Sequence, residues 1–193
     1  MKFKIAIILF VGLMLSLPAK SQDVAVKTNL IYDALLTLDL GAEVSVAPQW
    51  TVELTGNLND WAIDGHRWKQ WNLMPEGRYW FCQAFAGHFV GAHLIGGQYN
   101  FGHLDMPFKF LGTDFRKLKD YRFQGWMAGA GIAYGYTWLI NKRWSMEAEI
   151  GIGWIYTRYD QFECRDCGQR IKRNQPHNYV GPTKAALNLI YNF

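Results

Sequence analysis

The chain has 193 residues, enough for one domain, with 20 Lys and Arg against 16 Asp and Glu. Lys2, Lys4 and Lys20 fall in an N-terminal leader; without them the balance is 17 to 16, which removes the case for nucleic acid that a basic chain would otherwise carry. Beyond the leader no apolar run approaches the ~20 residues a transmembrane helix needs, yet nine tryptophans and 16% aromatic residues exceed the needs of a small water-soluble domain and fit a membrane-interface belt.

The leader comes first. Lys2 and Lys4 are followed by an apolar run from Ile5 to Leu17, then Pro18, then the small-x-small stretch Ala19-Lys20-Ser21. This predicts a cleaved signal peptide over 1–21 and a single mature domain over 22–193. With no Cys at the cleavage point, a lipoprotein anchor is not expected.

From there the pattern alternates with a period of two, as in strands whose successive side chains point to opposite faces. Leu40, Ala42, Val44 and Val46 oppose Gly41, Glu43 and Ser45. Trp50, Val52, Leu54 and Leu58 oppose Thr51, Glu53, Thr55, Asn57 and Asn59. Trp144, Met146, Ala148, Ile150, Ile152, Trp154 and Tyr156 oppose Ser145, Glu147, Glu149, Gly151 and Gly153. At the end, Ala185, Leu187, Leu189, Tyr191 and Phe193 oppose Lys184, Ala186, Asn188 and Asn192. Eight strands are predicted, near 24–33, 39–47, 50–61, 68–81, 88–101, 123–140, 143–160 and 178–193.

The connections at 47–49, 82–87 and 141–143 are short, whereas 102–122 and 162–177 are long and charged. Short connections at one end and long ones at the other predict an all-β fold, an eight-stranded antiparallel up-and-down transmembrane β-barrel with short periplasmic turns and longer outer loops. The rival is a soluble barrel or sandwich, which alternates equally well. The signal peptide, the terminal Phe193 and aromatic residues near strand ends favour a polar interior. Candidate rings for one belt are Trp50, Phe81, Phe89, Trp138, Trp144 and Tyr191; for the other, Trp61, Trp71, Tyr99, Trp126 and Tyr156.

The stretches KTNLIYDALLTLDLGAEVSVA, PEGRYWF, GHFVGAHLIGGQYN and GPTKAALNLIYNF together resemble a family of uncharacterised outer-membrane barrels from Bacteroides-type Gram-negative bacteria, a domain of unknown function. The resemblance runs from Lys27 to Phe193 and brings no reaction with it. It implies an outer-membrane location. Because some members are encoded near fimbrial genes, it also implies an adhesive or assembly context with fimbrial or other surface proteins as partners. The ending Tyr191 and Phe193 resembles the signal read by the barrel-assembly machinery.

The polar face carries Lys27, Asp33, Glu43, Glu53, Glu76, Arg78, Glu147, Glu149 and Lys184. An eight-stranded interior is just wide enough to be filled by side chains. Charges there must pair, so an ion-pair network of Lys27, Glu43, Glu53, Glu76, Arg78, Glu147, Glu149 and Lys184 is predicted, with Arg78 and Lys184 central. The acidic surplus could instead hold a cation or a proton, or supply paired acids for hydrolysis. The run GAGIAYG mimics a dinucleotide-binding motif but lies inside a β-pattern. Gly129, Gly131 and Gly135, with Gly151 and Gly153, are expected to make room for chains such as Arg78 or Trp80.

Cys164 and Cys167, separated by two residues in the last outer loop, read as a disulfide in an exported protein, with a redox or metal role and free thiols as alternatives; Cys82 reads as a bystander. The histidines His66, His88, His93, His103 and His177 are too scattered to predict a metal site, and no cofactor is expected. Loop 102–122, with Lys109, Arg116, Lys117, Lys119 and Arg122, and loop 162–177, with Arg165, Arg170, Lys172 and Arg173, read as solvated loop faces that also lie where lipopolysaccharide phosphates would be. Phe108, Phe110, Leu111 and Phe115 suggest a lid or short helix over the barrel mouth. The leading expectation is a non-enzymatic outer-membrane barrel, structural, adhesive or assembly-related, in contact with lipid and lipopolysaccharide. An outer-membrane enzyme acting on lipid or glycolipid is the second reading, and a narrow pore the third.

Overall fold

A computed structural model describes residues 24–63, 66–102, 109–110, 113–114, 116, 121–163 and 169–193. Its strands are β1 (Val24–Asn29), β2 (Leu38–Ala47), β3 (Trp50–Ile63), β4 (His66–Trp80), β5 (Gly87–Gly102), β6 (Lys109–Phe110), β7 (Thr113–Asp114), β8 (Arg122–Leu139), β9 (Trp144–Phe162) and β10 (Arg170–Asn192), with one short helix, α1 (Leu30–Ala34). Eight strands make one antiparallel up-and-down sheet, and β1 pairs with β10, so the sheet is a closed barrel. The seam is short, Ala25–Asn29 against Asn188–Asn192, so over most of its length β10 has no strand partner on that side among the described residues. The small β6–β7 hairpin lies in the connection from β5 to β8. No helix among the described residues is long and apolar enough to cross a membrane.

Three connections at one end are short: 48–49, 81–86 and 140–143. At the other end lie 30–37, which contains α1, and the connections at 103–121 and 163–169, but also 64–65, which at two residues is as short as 48–49, so the expectation of longer loops at this end fails between β3 and β4. The expected first strand stops early. Asn29 caps α1, accepting from the Ile31 amide at 3.1 Å and the Leu187 amide at 3.2 Å. A single helical turn is too short to announce itself by periodicity. The expected loop 162–177 is also mostly strand, because β10 begins at Arg170 and pairs with β9 from Phe162 onwards. Arg170, Lys172 and Arg173 therefore stand on an extended hairpin rather than a loop.

The alternation sorts side chains cleanly. On β3, Thr51, Glu53, Thr55, Asn57 and Asn59 are buried while Val52, Leu54 and Leu58 are exposed. One irregularity matters: the β10–β9 register shifts between Pro182 and Lys184. Before it Gly181 faces inward, and after it Lys184, Ala186, Asn188, Ile190 and Asn192 do. A bulge inserts one extra residue, which reverses the face presented by the rest of the strand. Without it Lys184 would point out of the barrel.

Candidate functional site

Strand register lines up like charges. Glu43 on β2 lies opposite Glu53 on β3, and Glu53 opposite Glu76 on β4. Glu76 in turn faces His93 on β5. Directly opposed like charges destabilise a sheet, so this row is tenable only with cations beside it. Arg78 supplies the first. Its Nη1 meets Glu43 at 3.0 Å and Glu147 at 3.1 Å, its Nη2 meets Glu53 at 2.6 Å and Glu149 at 2.7 Å, and its Nε meets Glu76 at 2.8 Å. The fork of Arg donors suits such multiple carboxylate contacts better than a point charge would.

Two lysines complete the cluster. Lys27 Nζ lies 2.5 Å from Glu43, 2.7 Å from Glu53 and 3.4 Å from Glu147. Lys184 Nζ lies 2.8 Å from Glu76, 3.0 Å from Glu149 and 3.3 Å from Glu53. Neutral donors fill in: Thr51 donates to Glu43, Thr55 to Glu53 at 2.7 Å, and Asn188 and Thr137 to Glu147 at 2.8 and 3.0 Å. The eight residues sorted to one face by strand parity are thus brought into one buried cluster.

Different layers flank it. Toward the short turns Trp80 and Phe89, both fully buried, pack with ring centroids 4.7 Å apart, and Phe85 lies 6.2 Å from Trp80. Trp80 donates its indole N–H to Thr51 at 2.9 Å, and the Arg78 guanidinium sits 4.4 Å above the Phe89 ring. Toward the long connections the filling is amide-rich. Asp39 accepts from the Asn29 amide at 3.0 Å and from Asn57 at 2.8 Å, and Asn59 donates to Thr37 at 2.6 Å. A cavity of about 20 Å³ beside Lys27, Asp39 and Asn57 has room for roughly one water.

Several expectations need correction. Asp33 is not in the interior: it lies on α1, exposed, and accepts from Thr28 at 2.8 Å. Phe89 faces inward, and so does Tyr99, which bonds Thr157 at 2.6 Å. Within the glycine strip, Gly131 and Gly135 make room for β5 side chains rather than for Arg78 or Trp80. A Cβ on Gly131 would stand 2.6 Å from His93 Nε2, and one on Gly135 would run into the Phe89 ring. Lys109–Phe110 and Thr113–Asp114 pair as a two-stranded hairpin rather than a helix. Asp39 and His93, outside the predicted network, are both buried beside the cluster.

Trp50, Phe81, Trp138 and Trp144 do point outward near the short turns. There Trp50–Tyr79, Tyr79–Phe81, Tyr136–Trp138, Trp144–Tyr191 and Tyr191–Phe193 form ring contacts. Trp71 and Trp126 point outward nearer the other end, with Tyr156 against Trp126. Cys164 and Cys167, and with them the disulfide, lie outside the described residues, as do His103, Phe108, Leu111 and Phe115 and the side chains of Trp61 and His66. Cys82 is an exposed free thiol. Among the described residues no three His, Cys, Asp or Glu form a metal-holding group.

A family model described as protein of unknown function (DUF3575) matches residues 6–193. The chain belongs to that family. No curated protein and no solved structure matches it. In this DUF3575 chain the burial of the cluster bounds its chemistry. The five glutamate side chains are 0 to 1% exposed, so they can hold charge and protons but offer no oxygen to a solute outside. Strand parity also points to Asp39, which shares the face of Gly41 and Glu43. His93 is harder to see, because from Phe89 to Gly97 β5 is otherwise apolar or small on both faces.

Proposed function

We propose that this protein is a transmembrane β-barrel of a bacterial outer membrane, exported through a signal peptide over 1–21, non-enzymatic and plugged. Its role is structural, adhesive or in surface assembly. One observation carries the reading: the barrel is inside out by the standards of a water-soluble protein. Charged residues fill the core, while Leu40, Leu94, Ile132, Ile150, Ile152 and Val180 are 57 to 70% exposed around its waist. A soluble monomer rarely exposes a continuous apolar surface of that extent. Hydrocarbon is the solvent that such a band fits, with aromatic residues at both of its borders.

The length of the last hairpin supports display. A strand needs about 9–11 residues to cross the hydrocarbon, whereas β9 has 19 and β10 has 23. The surplus projects past the long-connection end and carries Arg158, Arg170, Lys172 and Arg173, suited to lipopolysaccharide phosphates. The plug favours this role over an enzyme or a pore, since the cluster and the Trp80–Phe89 layer occupy the cross-section. Tyr191 and Phe193 on the outward face suit recognition by the barrel-assembly machinery.

The mature protein is expected to fractionate with outer membranes and to migrate differently on gels before and after boiling. Recovery as a soluble periplasmic protein would overturn the proposal.

A further inference from the structure

The cluster does not balance. Lys27, Arg78 and Lys184 bring three positive charges, and Glu43, Glu53, Glu76, Glu147 and Glu149 bring five negative ones, all in residues at most 9% exposed. Stranding ionised carboxylates away from water is so costly that such groups take up protons instead.

The hydrogen bonds indicate which carboxyl does so. Both oxygens of Glu43, Glu53, Glu76 and Glu147 accept from a cation or a neutral donor. Glu149 differs. Its Oε2 meets Arg78 and Lys184, but its Oε1 is buried with no partner. An ionised oxygen in that position would be a buried charge with no donor, whereas protonation leaves a neutral hydroxyl, whose unpaired burial costs far less. The surroundings agree. Glu147 on β9, Glu53 on β3, Glu76 on β4 and Glu43 on β2 press negative charge on the site, answered among the described residues by Arg78, Lys184 and Lys27. The facing residues of β8, Gly135 and Thr137, carry no charge. On β5, His93 engages Thr183 through Nε2 at 2.9 Å, while its buried Nδ1 has no hydrogen-bond partner and lies 3.7 Å from Glu76.

We propose that the barrel interior is a proton-binding site, with Glu149 held as a neutral carboxylic acid at neutral pH. The proton is taken from solvent as the barrel closes and is returned when the barrel opens.

The test uses the mature protein folded in detergent, so its outcome is independent of where the protein resides in the cell. Infrared spectra near neutral pH should show the C=O stretch of a neutral carboxyl, sensitive to deuterium. Glu149→Gln should remove that band and unfold at a denaturant midpoint no lower than the parent's, because an amide replaces a neutral acid. Glu147→Gln should keep the band and unfold at a clearly lower midpoint. The proposal is overturned if the parent lacks the band, if the band survives in Glu149→Gln, or if Glu149→Gln cannot fold while Glu147→Gln can. A midpoint in the parent that depends on the identity of the added monovalent cation rather than on pH would assign the surplus charge to a bound ion, and would equally overturn it.

Discussion

Arg78 and Arg170 make the same bond in two different settings. Each places a guanidinium nitrogen about 3 Å from a carboxylate: Arg78 on Glu43 at 3.0 Å, Arg170 on Asp160 at 3.0 Å. Arg78 has no exposed side-chain surface, whereas Arg170 and Asp160 are 43% and 28% exposed on the projecting hairpin. Identical geometry therefore carries different energy. In the interior, removing one partner leaves charges stranded without water; on the hairpin, water takes the place of the lost partner.

The largest expected effect is that of Arg78→Ala. Breaking a buried pair typically costs about 3–5 kcal/mol, and here five carboxylates lose their shared partner. The variant should unfold in detergent at a much lower denaturant concentration than the parent. A loss below about 1 kcal/mol, the range of an exposed pair, would mean that the interior is wetter than the cluster geometry implies.

Glycines sharpen the same contrast. Gly131 faces inward, and a Cβ there would stand 2.6 Å from both His93 Nε2 and the Ile152 carbonyl oxygen, one of which is backbone and cannot swing aside. Gly131→Ala should cost about 1–3 kcal/mol, as overpacking does. Gly77 faces outward with nothing within 4 Å of its ideal Cβ, so Gly77→Ala should be neutral or slightly stabilising. Paired denaturation midpoints check both, and equal losses at the two positions would contradict the inside–outside division of space.

The smallest effect belongs to Arg170→Ala, expected at about 0–1 kcal/mol and shrinking further as salt is added. A salt-independent loss of several kcal/mol would show that the hairpin is packed against something that shields it.

Much of this architecture is legible in the sequence because alternation is a strong signal where one face is polar. Glu43, Glu53, Glu76, Arg78, Glu147, Glu149 and Lys184 sort to one side by parity alone. Parity fails where the two faces are chemically alike. On β5 the inward Phe89 and Ile95 are as apolar as the outward Val90 and Leu94, so a pattern of polarity cannot place Phe89 and Tyr99 inside. It fails again where polarity reflects solvent rather than a loop, since Arg170 to Gln175 are exposed yet belong to a strand. Pro182 is the one local sign of the bulge, because proline in a strand is confined to edges, strand starts and irregularities. Parity cannot show which carboxylate lacks a partner; that depends on distances across the interior.

The positions of the two lysines have a consequence for assembly. Lys27 is on β1 and Lys184 on β10, the two strands that meet at the seam. A sheet running only from β2 to β9 would hold Arg78 alone against all five glutamates. The two missing charges arrive with the strands that close the ring, from opposite ends of the chain. Closure here is an act of neutralisation as well as of hydrogen bonding. A barrel joined out of register at the seam would be marked by unpaired charge at its centre.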